Sequence, residues 1–168
     1  MALEVENKYI VEDCSVDKVR DFIKDSEKIV IIQNYLSYND KEELRIREVI
    51  FDRKRNYFLT LKSEINNDNL RNELETKINR ATYMALLSKC KKNPLIKERY
   101  IQKINNNVEV ALDLFLGKDN ISFLSIVEVE FSDLNKRIDF TKYSWFGKDI
   151  TNDLRYRNRN IWRDINLV

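Results

Sequence analysis

Glu4-Val5-Glu6-Asn7-Lys8 places two acids and a lysine at every second position near the start of the chain. In a β-strand, residues i, i+2 and i+4 share a face, so one side of this segment offers two carboxylates and an ammonium. Leu3 and Val5 point the other way. The pattern returns with other charges in Arg45-Ile46-Arg47, Thr60-Leu61-Lys62, Arg71-x-Glu73-x-Glu75-x-Lys77, Lys97-x-Arg99 and Glu128-Val129-Glu130. Collected by face, the bases are Lys8, Arg45, Arg47, Lys62, Arg71, Lys97 and Arg99. The acids are Glu4, Glu6, Glu73, Glu75, Asp113, Glu128 and Glu130. Arginine forks grip phosphate oxygens bidentately and lysines add point charges. Carboxylates from different strands can converge on Mg²⁺ or Mn²⁺, hard cations that prefer oxygen ligands. Such a face is suited to a polyanion and its metal ions.

A plainer reading fits any one strand: a single antiparallel sheet whose solvated face is laced by cross-strand Glu–Lys pairs. The set as a whole fits it less well. Arg45 with Arg47, and Glu128 with Glu130, repel their own neighbours unless an opposite charge lies between them. Buried charge costs several kcal/mol per ion without a partner. Stability alone does not explain the array.

The totals narrow the chemistry further. The 168 residues are expected to form one domain over 1–168, long enough for a core or a closed barrel. Charged residues make up 35%, against a usual quarter, yet 30 bases and 28 acids leave a net charge of only +2. That balance argues against a nucleic-acid binder working by bulk positive charge, and no nucleic-acid partner is expected. Cys14 and Cys90 have no metal-ligand spacing and make no disulfide framework. The chain contains no histidine, which excludes Ser-His-Asp and Cys-His catalysis and histidine zinc sites. Neither of its two glycines sits in a phosphate-binding loop pattern. No signal-like opening and no run near the ~20 apolar residues of a bilayer span are present, so a cytoplasmic protein without membrane contact is expected.

These side chains need strands to hold them. Strands are predicted over 2–11, 29–38, 44–51, 56–65, 70–78, 95–104, 108–116 and 123–131. A helix capped by Ser15 follows the first, with Val16, Val19, Phe22 and Ile23 on its apolar face. A second carries Tyr83, Leu86, Leu87 and Cys90, and Pro94 ends its region. Asn39-Asp40-Lys41, Asp52-Arg53-Lys54-Arg55, 66–69 and Gly117-Lys118-Asp119-Asn120 read as turns. Leu44, Ile46, Leu59, Leu61, Leu112, Leu114, Val127, Val129 and Phe131 occupy the opposite, apolar faces. The helices, with Trp145, Phe146 and Trp162, are expected to cover them. The fold class is α+β, mainly antiparallel β: an eight-stranded closed β-barrel with flanking helices and the charges inside.

Glu4-x-Glu6-x-Lys8 resembles the N-terminal signature of the CYTH superfamily, the triphosphate tunnel metalloenzymes. Gln33-Asn34-Tyr35-Leu36, Arg45-Ile46-Arg47, Leu59-Thr60-Leu61-Lys62, Arg71-x-Glu73-x-Glu75, Lys97-Glu98-Arg99-Tyr100, Asp113-Leu114-Phe115 and Val127-Glu128-Val129-Glu130-Phe131 continue the likeness in order. Trp145-Phe146-Gly147-Lys148-Asp149-Ile150-Thr151 with Arg155-Tyr156-x-Asn158 resembles the C-terminal signature of the bacterial branch. Ser144 departs from it, standing where a proline often precedes the Trp-hydrophobe-Gly step.

The resemblance implies a closed tunnel in which Glu4, Glu6, Glu128 and Glu130, with Asp113, hold one or two Mg²⁺ or Mn²⁺ ions. Glu73 and Glu75 would support them. Lys8, Arg45, Arg47, Lys62, Arg71, Lys97 and Arg99 would bind a small-molecule triphosphate, and Glu4, Glu6, Lys8, Glu128 and Glu130 would be catalytic. The expected activity is removal of the terminal phosphate of inorganic triphosphate or a related triphosphate by metal-activated water, in a monomer or homodimer. The alternatives are a class IV adenylyl cyclase and a non-catalytic polyphosphate- or nucleotide-binding module.

Overall fold

The computed structural model describes residues 2–39, 41–64, 71–132 and 134–167, with side chains except at 2–4, 64, 71, 134, 138 and 139. Eight strands and four α-helices follow in the order β1 (Ala2–Ile10), α1 (Asp17–Lys24), β2 (Glu27–Tyr38), β3 (Glu42–Phe51), β4 (Lys54–Glu64), β5 (Arg71–Ile78), α2 (Arg80–Leu87), β6 (Leu95–Asn105), β7 (Val108–Leu116), β8 (Ser122–Phe131), α3 (Leu134–Asp139) and α4 (Asn158–Ile165). All eight predicted strands form, most with ends a residue or two from those expected. The turn expected at 66–69 lies outside the described residues.

The chain divides into two compact units: residues 1–4, 30–96 and 153–168, and residues 5–29 and 97–152. In the first, β2, β3, β4 and β5 form an antiparallel meander, and the opening residues of β1 pair with β5. In the second, the rest of β1 pairs antiparallel with β8, and β8 with β7. The strands are hydrogen-bonded in the order β1-β5-β4-β3-β2-β6-β7-β8 and close on β1 as an eight-stranded barrel. Period-2 patterning fixes which side chains share a face. It says nothing about whether the first and last strands meet, which depends on twist and stagger accumulated along every strand.

Each unit buries much of the apolar side of its strands, although Leu61, expected to be covered, and its partner Leu74 stay exposed. In the first, Ile46, Tyr57 and Tyr83 of α2 form a buried cluster with Leu59, Ile78, Leu86 and Leu87 against it. Asn79 caps α2 by accepting a hydrogen bond from the Thr82 amide at 2.8 Å. In the second, Val5, Tyr9, Val110, Leu112, Val127 and Val129 pack with Val19 and Phe22 of α1 and with Phe146. Ser15 does not cap α1. Val16 stands at the N-cap without a side-chain bond, and Asp13 takes the Ser15 amide one turn earlier.

Trp162 also departs from expectation. It packs on Tyr35 and Tyr38, with ring centroids 5.1 and 5.9 Å away, rather than on the apolar side of the sheet. Tyr35 lies opposite Arg45 and Tyr38 opposite Glu43, so α4 sits at one end of the first unit's charged face. The hairpin tip between β3 and β4 is tighter than predicted. Asp52 and Arg53 alone make the turn, both with positive φ (45° and 62°), as a two-residue hairpin loop matched to strand twist requires.

Candidate active site

The second unit gathers acids and bases most densely. Across β1 and β8, Glu6 lies opposite Glu130 and Lys8 opposite Glu128, while β7 sets Glu109 beside Glu130 and Ala111 beside Glu128. Two like charges directly opposite one another destabilise a sheet unless a cation lies between them. Carboxylate oxygens of Glu6, Glu128 and Glu130 all lie within 4.8 Å of one another. Lys8 Nζ stands 2.6 Å from Glu128 and 3.1 Å from Glu6. Arg99 of β6 bonds closely to Glu128 and comes within 3.9 Å of Glu130.

Behind this group lies a buried counter-ion cluster. Asp113 is fully buried (0%) and accepts two 2.7 Å hydrogen bonds from Arg99, one at each carboxylate oxygen. Lys97 of β6 closes on Oδ2 of the same carboxylate. Burial pushes the Lys97 ammonium down to about 8, with Arg99 adding to the effect while Asp113 and Glu128 oppose it. Burial works against the Arg99 charge too, but Asp113 and Glu128 hold that guanidinium well above its ordinary value. For Glu128, burial favours the neutral form, yet Lys8, Arg99 and Lys97 keep the carboxyl well below the usual range.

Lys8 is positioned from both sides. The segment after Gly147 runs beside β1, where Ile150 donates to the Lys8 carbonyl at 2.9 Å and Thr151 Oγ1 accepts the Lys8 amide at 3.0 Å. Gly147 donates to the Ile10 carbonyl at 2.8 Å, and a Cβ at position 147 would sit 2.7 Å from that oxygen. Only glycine permits so close an approach.

The first unit carries a second charged face. Arg45, Thr60 and Glu75 lie in one register row, and Glu43, Lys62 and Glu73 in the next. Glu73 is 2.7 Å from Lys62 and 3.8 Å from both Arg45 and Arg47. Glu75 bonds Arg47 closely and accepts the Thr60 hydroxyl at 2.8 Å. Arg47 Nε is buried with no hydrogen-bond partner among the described residues. Gln33 stands opposite Arg47 and donates to Tyr35 Oη at 2.8 Å.

Of the residues singled out by pattern, Glu6, Lys8, Lys97, Arg99, Asp113, Glu128 and Glu130 come together in the second unit. Arg45, Arg47, Lys62, Glu73 and Glu75 do so in the first. Glu4 lies opposite Arg71 in the register of β1 and β5, but both side chains lie outside the described residues. Asp113 is not among the three converging carboxylates, and Glu73 and Glu75 serve as counter-ions to the first unit's bases. Glu43, buried 3.5 Å from Arg45, stands outside the residues selected from the sequence, and Thr60 lies within the repeating pattern but not among the selected residues. Each stands two residues before a selected base, so the same period-2 rule reaches both.

Comparison with solved structures defines the class of fold. The chain superposes on the crystal structure of the inorganic triphosphatase NE1496 with a TM-score of 0.61 at 29% identity, covering 96% of this chain and 95% of that one. The PH1819 protein from Pyrococcus horikoshii OT3 shares the fold at 22% identity and a TM-score of 0.57, with 84% and 80% of the two chains covered. No family model matches the sequence. Against curated proteins, the chain is 34% identical over 128 residues to inorganic triphosphatase of Nitrosomonas europaea, spanning 76% of this chain and 80% of that protein. The chain belongs to the CYTH family of triphosphate tunnel metalloenzymes.

Proposed function

We propose that this chain is a divalent-metal-dependent triphosphatase that removes the terminal phosphate of inorganic triphosphate. The observation that carries the reading is the convergence of Glu6, Glu128 and Glu130 beside Lys8 and Arg99. The names borne by the Nitrosomonas europaea relative and by the NE1496 structure support the same activity.

Three carboxylates with oxygen donors alone, in a chain without histidine, fit Mg²⁺ or Mn²⁺. Glu6, Glu128 and Glu130 would hold the ion, which when bound neutralises phosphate charge and lowers the pKa of water. The chain's own cations do the rest. Lys8 and Arg99 bring fixed positive charge to the phosphoryl oxygens, where charge shifts in the transition state. Asp113 holds Arg99 and Lys97 in place, so little reorganisation is needed when substrate arrives. The first unit's face has phosphate-binding chemistry of its own in Arg45, Arg47 and Lys62, and the buried Arg47 Nε has no hydrogen-bond partner among the described residues. In the absence of substrate, Glu73 and Glu75 hold these bases in pairs that a triphosphate competes for.

Product analysis tests the reading. With Mg²⁺ or Mn²⁺, the protein should release phosphate from inorganic triphosphate faster than from ATP or thiamine triphosphate, and a chelator should abolish the release. Cyclic AMP with stoichiometric pyrophosphate from ATP would replace the hydrolase with a cyclase. Tight binding without turnover would make the chain a binding module.

A further inference from the structure

We propose that Thr60 is a positioning residue for the triphosphate, acting through Glu75 on Arg47, an inference that rests on the triphosphatase reading. Thr60 lies on β4 with 0% exposure, between Arg45 and Glu75 in the register of three strands. Its hydroxyl bonds Glu75 Oε2 at 2.8 Å, and the same oxygen receives Arg47 Nη2. One carboxylate oxygen therefore joins a hydroxyl on a stiff, β-branched side chain to a guanidinium on the charged face. The Glu75 side chain retains 31% exposure, so without the hydroxyl its three rotatable bonds give it a solvated alternative. Arg47 gains little direction elsewhere, since its contact with Glu73 is 3.8 Å and its Nε has no partner among the described residues. The Thr60 hydroxyl thus fixes the carboxylate that fixes the arginine, and so aims the unused Nε donor.

A threonine that merely fills space predicts something different, and kinetics separates the two roles. Thr60→Val keeps the shape and loses the hydroxyl; it should raise KM for inorganic triphosphate roughly five- to tenfold with kcat within about twofold. Thr60→Ser should restore most of the affinity. In a Glu75→Gln background the Thr60→Val effect should largely vanish, because coupled residues are not additive. Thr60→Ala serves the same arm if the valine variant does not fold. The proposal is overturned if the valine variant binds like wild type, if serine fails as badly as valine, or if the effects of Thr60→Val and Glu75→Gln simply add. Nitrogen-edited NMR of the Arg47 Nε–H, without ligand, separates this from failure of the triphosphatase reading. That signal should broaden or exchange faster in Thr60→Val but not in Thr60→Ser, whether or not the wild type cleaves triphosphate.

Discussion

Arg99 grips Asp113 at both carboxylate oxygens, Nε to Oδ1 and Nη2 to Oδ2, each at 2.7 Å. Lys97 shares Oδ2, and the carboxylate is wholly buried. Such an aspartate is a counter-ion before it is anything else, because removing one partner of a buried set leaves uncompensated charge. Asp113→Asn should therefore destabilise the protein by about 3–5 kcal/mol, read as a lower midpoint of urea unfolding. A stable variant that loses only metal affinity would instead return Asp113 to the ligand set.

Glu130 sits differently. It is the most exposed member of the converging trio, with 45% of its side chain accessible, and Arg99 stands 3.9 Å from it. Glu130→Gln removes a ligand charge at little structural cost. Metal-dependent turnover should fall on the order of 10²-fold or more while unfolding changes by less than about 1 kcal/mol. Unchanged activity across a full Mg²⁺ titration would remove Glu130 from the metal site.

The contrast between these two acids shows how far the sequence could be read. Alternation placed Asp113 and Glu130 on the charged side of their strands, and the structure puts them there, because side-chain parity is a local property of the backbone. Which acid is buried among bases and which is half-open depends on the neighbouring strands, and no spacing records that. Trp162 went astray for a related reason. Its aromatic character marked it as a packing residue, while the register that brings Tyr35 beneath it is irregular, with a shift between Tyr35 and Ser37. Thr60 falls within the repeating pattern and shares parity with Lys62, but it carries no charge, so the pattern alone assigns it no role.

Gly147 ties the C-terminal signature to the site. Because an added Cβ would meet the Ile10 carbonyl at 2.7 Å, Gly147→Ala must push the segment away from β1. The expected cost is about 1–3 kcal/mol of stability. The hydrogen bonds that hold the Lys8 backbone lie three and four residues further on, so kcat/KM for triphosphate should fall as well. An alanine variant of normal stability and activity would show that this segment does not position Lys8.

Glu128 makes the protein sensitive to acid in a predictable direction. Burial favours its neutral form, but Lys8, Arg99 and Lys97 hold the folded-state carboxyl well below the ordinary range, whereas in the unfolded chain it titrates near ~4.3. Below that unfolded value the unfolded chain binds a proton that the folded one refuses, so the unfolded state gains as pH falls. The contribution is fully present above about pH 5 and is lost progressively toward the depressed folded value. Glu128→Gln carries no such proton. Its unfolding midpoint should be lower than wild type at pH 7, with the gap narrowing as pH falls below about 5. Denaturation of both proteins at intervals from about pH 7 to 3 measures the gap directly. A constant difference across that range would mean that Glu128 is not held ionised by Lys8, Arg99 and Lys97.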